Sequence, residues 1–242
     1  MAILPRRMCL LFRFLLVLLL LSLAATVAAE DARYTRERQR MVSTQIEARG
    51  ISDRATLRAV SRVPRHLFVR EDYRSRAYAD SPLPIGHGQT ISQPYIVALM
   101  TQLAELQPGD RTLEIGTGSG YQAAVLAEIT REVYTIEIVE PLYRWGAENL
   151  RNAGYDSVQV KNADGYWGWE EHAPFDAIVV TAAAASIPPP LIDQLADGGV
   201  MVIPVGSPFL TQTLTVVRRT GSDIRTRQMM PVRFVPFVRE TD

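Results

Sequence analysis

Apolar positions along the 242-residue chain fall into three successive patterns. The first is a near-continuous apolar run, Phe14 to Leu23 broken only by Ser22. The second is helical: Tyr34 to Arg49 reads as a polar amphipathic helix stopped by Gly50, and Asp53 to Arg62 as another behind Ser52, together an N-terminal helical cap. Residues 64 to 93 follow with Pro64, Pro82, Pro84, Gly86 and Gly88, too many breakers for regular structure, and a loop this long in a compact domain points to function. From about residue 94 the third pattern begins, strand-like runs alternating with helix-like ones, which is how a parallel α/β sheet reads.

Within that alternation Pro94 opens a helix to about Leu106, with Ser92 or Gln93 as its cap. Arg111 to Ile115 is a strand, Gly116-Thr117-Gly118-Ser119-Gly120 a turn, Tyr121 to Ile129 a helix, Glu132 to Glu137 a strand and Glu140 to Ala153 a helix. Further strands are Ser157 to Lys161, Phe175 to Thr181 and Val200 to Val205, with a helix from about Pro190 to Ala196 ended by Gly198-Gly199. Two-residue alternation from Thr211 to Arg218 and from Gln228 to Val238 predicts a hairpin across Gly221. The expected fold is α/β: a doubly wound, mostly parallel sheet with an N-terminal helical cap and a C-terminal antiparallel strand pair.

The leading run changes the picture of the domain. Arg6, Arg7 and Arg13 form a positive n-region, and Val27-Ala28-Ala29 offers small residues before Glu30, so residues 1–29 read as a signal peptide cleaved after Ala29 and directing export to the periplasm. Two alternatives stand beside it. Phe14 to Ala29 can act as an uncleaved membrane anchor, although it is short of the roughly 20 residues that span a bilayer. Met41 can be the true start, which would leave a cytoplasmic protein. The folded domain is then 30–242. Cys9, the single cysteine, lies in the leader, which excludes a catalytic cysteine, cysteine-held zinc and disulfides in the mature chain.

Composition narrows the classes further. At 47% hydrophobic and 21% charged the chain supports an ordinary globular core. Acids and bases balance at 26 each, and three of the bases belong to the leader, so the remainder is slightly acidic and lacks the basic surplus of a nucleic-acid binder. His66, His87 and His172 are far apart and in no metal-ligand pattern, so no metal is expected. Tyr166, Trp167 and Trp169 read as packing residues.

The glycine turn carries the first chemistry. Gly116, Gly118 and Gly120 let backbone approach a ligand beside a helix N-terminus, and Glu137, ending the next strand, can accept both hydroxyls of a ribose. A nicotinamide dehydrogenase fits poorly, because Tyr121 stands where its fingerprint wants glycine or alanine, and Glu114 sets negative charge where a pyrophosphate would lie. A cationic ligand bearing a ribose fits both features, and the sulfonium of S-adenosylmethionine is one.

The segments Pro82-Leu83-Pro84-Ile85-Gly86-His87-Gly88-Gln89-Thr90-Ile91-Ser92-Gln93-Pro94-Tyr95 and Leu113-Glu114-Ile115-Gly116-Thr117-Gly118-Ser119-Gly120-Tyr121-Gln122 resemble the protein-L-isoaspartate O-methyltransferase family. The resemblance covers nearly all of residues 38 to 239. It implies a class I, Rossmann-like methyltransferase fold and transfer of a methyl group from S-adenosyl-L-methionine to L-isoaspartyl residues of damaged proteins or peptides. The resemblance further implies that the ester cyclises to a succinimide, whose hydrolysis returns some aspartate. By position, the resemblance implies Ser92 as the active-site serine. Donor binding falls to Glu114, Gly116, Thr117, Gly118 and Gly120, ribose binding to Glu137 and adenine-side contacts to Asp164 and Gly165. Thr90, Ile91, Ser92, Gln93, Pro94 and Val235 would bind substrate, with the Val232 to Val238 strand pairing an extended peptide. Ala163 and Arg70 depart from the usual family pattern, the latter on an exposed-looking loop. A monomer without nucleic-acid partners is expected, and membrane contact only if the leader is retained. A domain of this kind that binds damaged peptides without turning over is the competing reading, since export would separate it from the site of donor synthesis.

Overall fold

The computed structural model describes residues 29–207 and 210–240, so the apolar leader, with its candidate cleavage and anchor readings, lies outside the described residues. Helix α1 covers 29–41 and runs on into a wide π turn, Val42–Ile46, and a short 3-10 turn, Glu47–Arg49, ended by Gly50 at φ +94°. The single regular helix expected to Arg49 is thus broken. The wide turn brings Met41 and Ile46, five residues apart and both fully buried, onto the core face. Helix α2, Arg54–Arg62, is capped by Asp53, which accepts from the Thr56 backbone N–H at 2.7 Å, while Ser52 instead donates its backbone N–H to Gln102.

Residues 64 to 93 are more regular than their breakers indicated. Two 3-10 turns, Arg65–Phe68 and Glu71–Arg76, lead to an antiparallel hairpin of β1, Leu83–Gly86, and β2, Gln89–Ile91. Gly86, His87 and Gly88 all take left-handed φ values, so the residues that looked like loop breakers form the hairpin's reversal. Helix α3, Pro94–Leu103, follows; neither Ser92 nor Gln93 caps it through a side chain. Arg70, expected on an exposed loop, is half-buried.

The main sheet has seven strands in the order β5-β4-β3-β6-β7-β8-β9. β3, Arg111–Ile115, and β4, Glu132–Glu137, pair in parallel, as do β4 with β5, Gln159–Asn162, β3 with β6, Phe175–Val180, and β6 with β7, Leu195–Val205. β8, Gln212–Thr220, and β9, Asp223–Val232, add the antiparallel pair. Helices α4, Tyr121–Ala127, and α5, Glu140–Asn152, connect the first strands, and α6, Pro189–Asp193, precedes β7.

Alternation along the central strands feeds two apolar layers. Leu113, Ile115, Ile178 and Val180 face one, and Ala177 and Val179 the other, where α4 lies. Residues Tyr121 to Leu126 of α4 are buried, because α2 of the cap and α3 pack on this helix as well as the sheet. The expected α/β fold with its helical cap is the observed one. Further differences lie toward the C-terminus: α6 stops at Asp193 because Leu195 already pairs with Phe175, and β9 ends at Val232. Beyond it Val235 accepts from the Ala183 N–H at 2.8 Å and Phe237 donates to the Ala183 carbonyl at 2.9 Å, so 233–238 is a partnered tail, not an open strand.

Candidate active site

The C-terminal ends of β3, β4 and β6 meet the hairpin and the tail, where α/β sheets form their crevices. Gly116 and Gly118 turn the chain after β3 with φ +99° and +51°, and an ideal Cβ on Gly116 would stand 2.4 Å from Thr181 Oγ1. The Gly118 N–H donates to Glu137 Oε2 at 2.8 Å and the Val139 N–H to Oε1 at 2.9 Å, which aims that carboxylate at the cleft mouth. Burial holds the Glu137 pKa above the usual carboxylate range.

The cleft these elements form is lined by Ile85 and Thr90 of the hairpin, Gly116 and Gly118, Glu137, Gly165 and the tail residues Val235 to Val238. Gly165 is tight against the sheet, a Cβ there falling 2.4 Å from Ile115 Cγ2. Asp164 is engaged behind it, accepting from the Tyr166 N–H at 2.9 Å and from Arg239 Nε at 2.7 Å. Gly120 stands outside the cleft lining; its Cβ position is 3.0 Å from the Gly146 carbonyl, so it serves the packing of α5.

An inner recess continues from the turn, lined by Ile91, Ser92, Glu114, Thr117, Tyr121 and Gln122. Glu114 is fully buried; Thr135 donates to its Oε2 at 2.5 Å, and Oε1 has no partner among the described residues. Burial pushes its carboxyl up to about 8, with Thr135 pulling the other way and the nearby Glu137 adding to the rise. Gln122 donates to Thr101 at 2.9 Å and leaves its own Oε1 buried and unpartnered. Two orphaned acceptors on a glycine-turned recess fit a ligand that carries N–H donors and positive charge. The residues present therefore suit S-adenosyl-L-methionine, whose ammonium and sulfonium meet that description.

A second groove, about 440 Å³, runs past Ser92 and Gln93 between Arg49, Ile96 and the segment Met230 to Val235. Thr90, Thr181 and Val235 border both clefts, and Ser92 stands where groove and recess join. Ile91 faces the recess, while Pro94 is buried as the first residue of α3. Beneath Ser92 lies Arg65, wholly buried with no carboxylate partner among the described residues, its guanidinium 4.6 Å from the Tyr121 ring centroid. Burial lowers its pKa to about 10, so it stays cationic.

Sequence reasoning missed Arg65, Thr135, Thr181, Gly146 and Arg239. Thr135, Thr181 and Gly146 lie in elements whose pattern gave no sign of a role at the site. His87 is exposed at the hairpin tip, and no cluster of metal-ligating side chains exists among the described residues. Trp169 packs on Tyr134 as expected, whereas Trp167 is 62% exposed, with Arg239 turned over its neighbour Tyr166.

The profile of the protein-L-isoaspartate(D-aspartate) O-methyltransferase family matches residues 36–242. Relatives named protein-L-isoaspartate O-methyltransferase include one from Opitutus terrae, 58% identical over 93% of this chain and 97% of its own length. Another, from Polaromonas, named protein-L-isoaspartate O-methyltransferase 2, is 60% identical over 76% and 88%. Among solved structures, a Plasmodium falciparum protein-L-isoaspartate O-methyltransferase in complex with S-adenosyl-L-homocysteine aligns at TM-score 0.73 and 28% identity, covering 83% of this chain and 98% of that one. Profile, full-length relatives and fold agree with the glycine turn and the Ser92 segment: the chain belongs to the protein-L-isoaspartate(D-aspartate) O-methyltransferase family.

Proposed function

We propose that this chain moves a methyl group from S-adenosyl-L-methionine to the free α-carboxylate of L-isoaspartyl residues in damaged proteins or peptides, opening their return to aspartyl. The observation that carries this reading is the junction at Ser92, where an open groove meets a recess floored by the unpartnered Glu114 Oε1. The α-carboxylate, with a pKa of about 3.5, is already ionised at neutral pH, so no general base is needed. What the reaction needs is position: oxygen held about 3 to 3.5 Å from the methyl carbon, in line with the departing sulfur, which is worth up to roughly 7 to 11 kcal/mol.

Bound S-adenosyl-L-methionine supplies the electrophilic methyl on a sulfonium that leaves as a neutral thioether. Glu114 Oε1 and Gln122 Oε1 would hold the amino end of the donor, Gly116 and Gly118 would admit its close approach to the backbone, and Glu137 would take the ribose hydroxyls. Gly165 keeps the adenine side open. Ser92 donates its hydroxyl to the attacking carboxylate and fixes its direction, and Thr90, Gln93 and Val235 line the peptide's path. The positive Arg65 beneath Ser92 favours an anion at that point.

Labelled methyl transfer by the full chain, offered to an isoaspartyl peptide and to its aspartyl twin, tests the reading. Base-labile label on the isoaspartyl peptide alone is the expected result. Donor binding with no transfer would instead favour a binding module.

We also infer that the leader directs export and that the mature domain starts near Glu30. Arg6, Arg7, Arg13 and the small residues before Glu30 support this, and so does Tyr34, buried upstream of Met41. Cell fractionation with N-terminal sequencing of the mature protein tests it; a cytoplasmic protein beginning at Met41 would refute it.

A further inference from the structure

The β1–β2 hairpin carries walls of both clefts: Ile85 and Gln89 face the donor side, Thr90 both, and Ser92 follows directly on β2. Its ladder is short, and its register breaks between Pro84 and Gly86, leaving Ile85 outside the pairing. Breaks of this kind re-aim a side chain. Here Ile85 is fully buried, and its Cδ1 lies 3.2 Å from where a Cβ on Gly118 would stand, directly against the donor turn.

The carbonyl of Ile85 has another partner. Arg70 Nε donates to it at 3.0 Å, and the same guanidinium sits over the Trp145 ring, 3.9 Å from the centroid. Trp145 belongs to α5, and its neighbour Gly146 packs on the other side of the same turn, a Cβ there falling 2.7 Å from the Gly118 carbonyl. Hairpin and helix therefore grip the donor turn from two sides, and Arg70 joins them. A planar guanidinium can stack on an indole while an in-plane N–H donates sideways; an ammonium cannot do both as well.

We infer that Arg70, stacked on Trp145, is a positioning residue that holds Ile85 over the donor turn and sets how tightly donor and product are retained. The inference rests on the donor-cleft reading above. Arg70 lines neither cleft, so its effect falls on the retention of donor and product and not on the transfer step or on peptide capture.

The test uses the full chain with Arg70→Ala, Arg70→Lys and Trp145→Leu, measuring S-adenosyl-L-homocysteine binding by calorimetry, KM for donor and isoaspartyl peptide, kcat and melting temperature. Arg70→Ala and Trp145→Leu should weaken product binding and raise donor KM roughly 3- to 30-fold, the range of a partly buried cation–π contact. Peptide KM and saturated kcat should stay within about twofold, and Arg70→Lys should recover part of the loss. Donor affinity unchanged in Arg70→Ala and Trp145→Leu, or equal rises in donor and peptide KM, would overturn the inference. Should Arg70→Ala fail to fold, Trp145→Leu decides alone, since it keeps the hydrogen bond to Ile85. A wild-type chain that binds no S-adenosyl-L-homocysteine rejects the donor cleft itself, a failure visible before any substitution is made.

Discussion

Arg65 donates through Nη2 to the backbone carbonyl of Ser92 at 2.7 Å and through Nε to the carbonyl of Ala77 at 2.8 Å. The backbone at Ser92 is thus tied down by a buried cation 27 positions away in sequence, and no side-chain capping bond employs the Ser92 hydroxyl. That separation of duties leaves the hydroxyl free for a ligand at the junction of groove and recess.

Ser92→Ala should accordingly lose transfer rate about 10- to 100-fold, the worth of one hydrogen bond to a charged group, while keeping donor affinity and melting temperature. Initial rates with isoaspartyl peptide, set beside S-adenosyl-L-homocysteine titrations, check this. Full activity in the variant would remove Ser92 from the mechanism.

Donor affinity should depend on pH through Glu114, whose folded pKa is about 8 against 4.5 ordinarily, burial being the main cause. A positively charged ligand at Oε1 requires the ionised form, so binding releases a proton and affinity should rise about tenfold per pH unit well below pH 8, levelling only above it. Stability of the unliganded protein runs the other way. Between about 4.5 and 8 the unfolded carboxyl has lost its proton while the folded one keeps it, so stability falls as pH rises through that window. Glu114→Gln should weaken donor binding, flatten its pH profile and melt progressively higher relative to wild type from pH 5 to 8.5. Calorimetry in buffers of different ionisation enthalpy and paired thermal melts provide the two readouts.

Gly146→Ala should be harmful although alanine is the better helix former by about 1 kcal/mol. The added methyl meets the Gly118 carbonyl at 2.7 Å and Thr117 Cγ2 at 3.0 Å. We expect a net loss of about 1–3 kcal/mol from overpacking, with donor affinity down at least tenfold as the turn shifts. A variant that melts higher and binds normally would show that the turn tolerates displacement.

Tyr34 stacks on His66 with ring centroids 3.9 Å apart, and His66 Nδ1 is 2.8 Å from the Tyr78 hydroxyl. Tyr34→Ala should cost about 2–4 kcal/mol, read from denaturant unfolding of the full chain. A chain initiated at Met41 lacks Tyr34 altogether and should show at least the same loss; equal stability of the two would undercut the docking of α1.

Local pattern determined much of this protein. Arg111–Ile115 and Glu132–Glu137 were legible to the residue, because β-branched and aromatic residues there sit between clear punctuation, Pro108-Gly109 and the glycine turn around the first and Pro141 after the second. The glycine turn and the Glu137 that receives its Gly118 N–H were legible too, since a strand, a sharp reversal and a helix start are adjacent in sequence. What pattern misjudged was the hairpin at 83–91, whose glycines and prolines look the same whether they break structure or reverse it, and the end of β9 at Val232, because two-residue alternation continues past the point where a new partner, Ala183, takes over the backbone. Only the tertiary structure decided the rest. Arg65 under Ser92, Thr135 on Glu114, Gly146 against Gly118 and Arg239 on Asp164 join positions 21 to 75 residues apart. Periodicity says which face of an element is buried; it carries no information on what that face is buried against, and the chemistry of this site is made of those pairings.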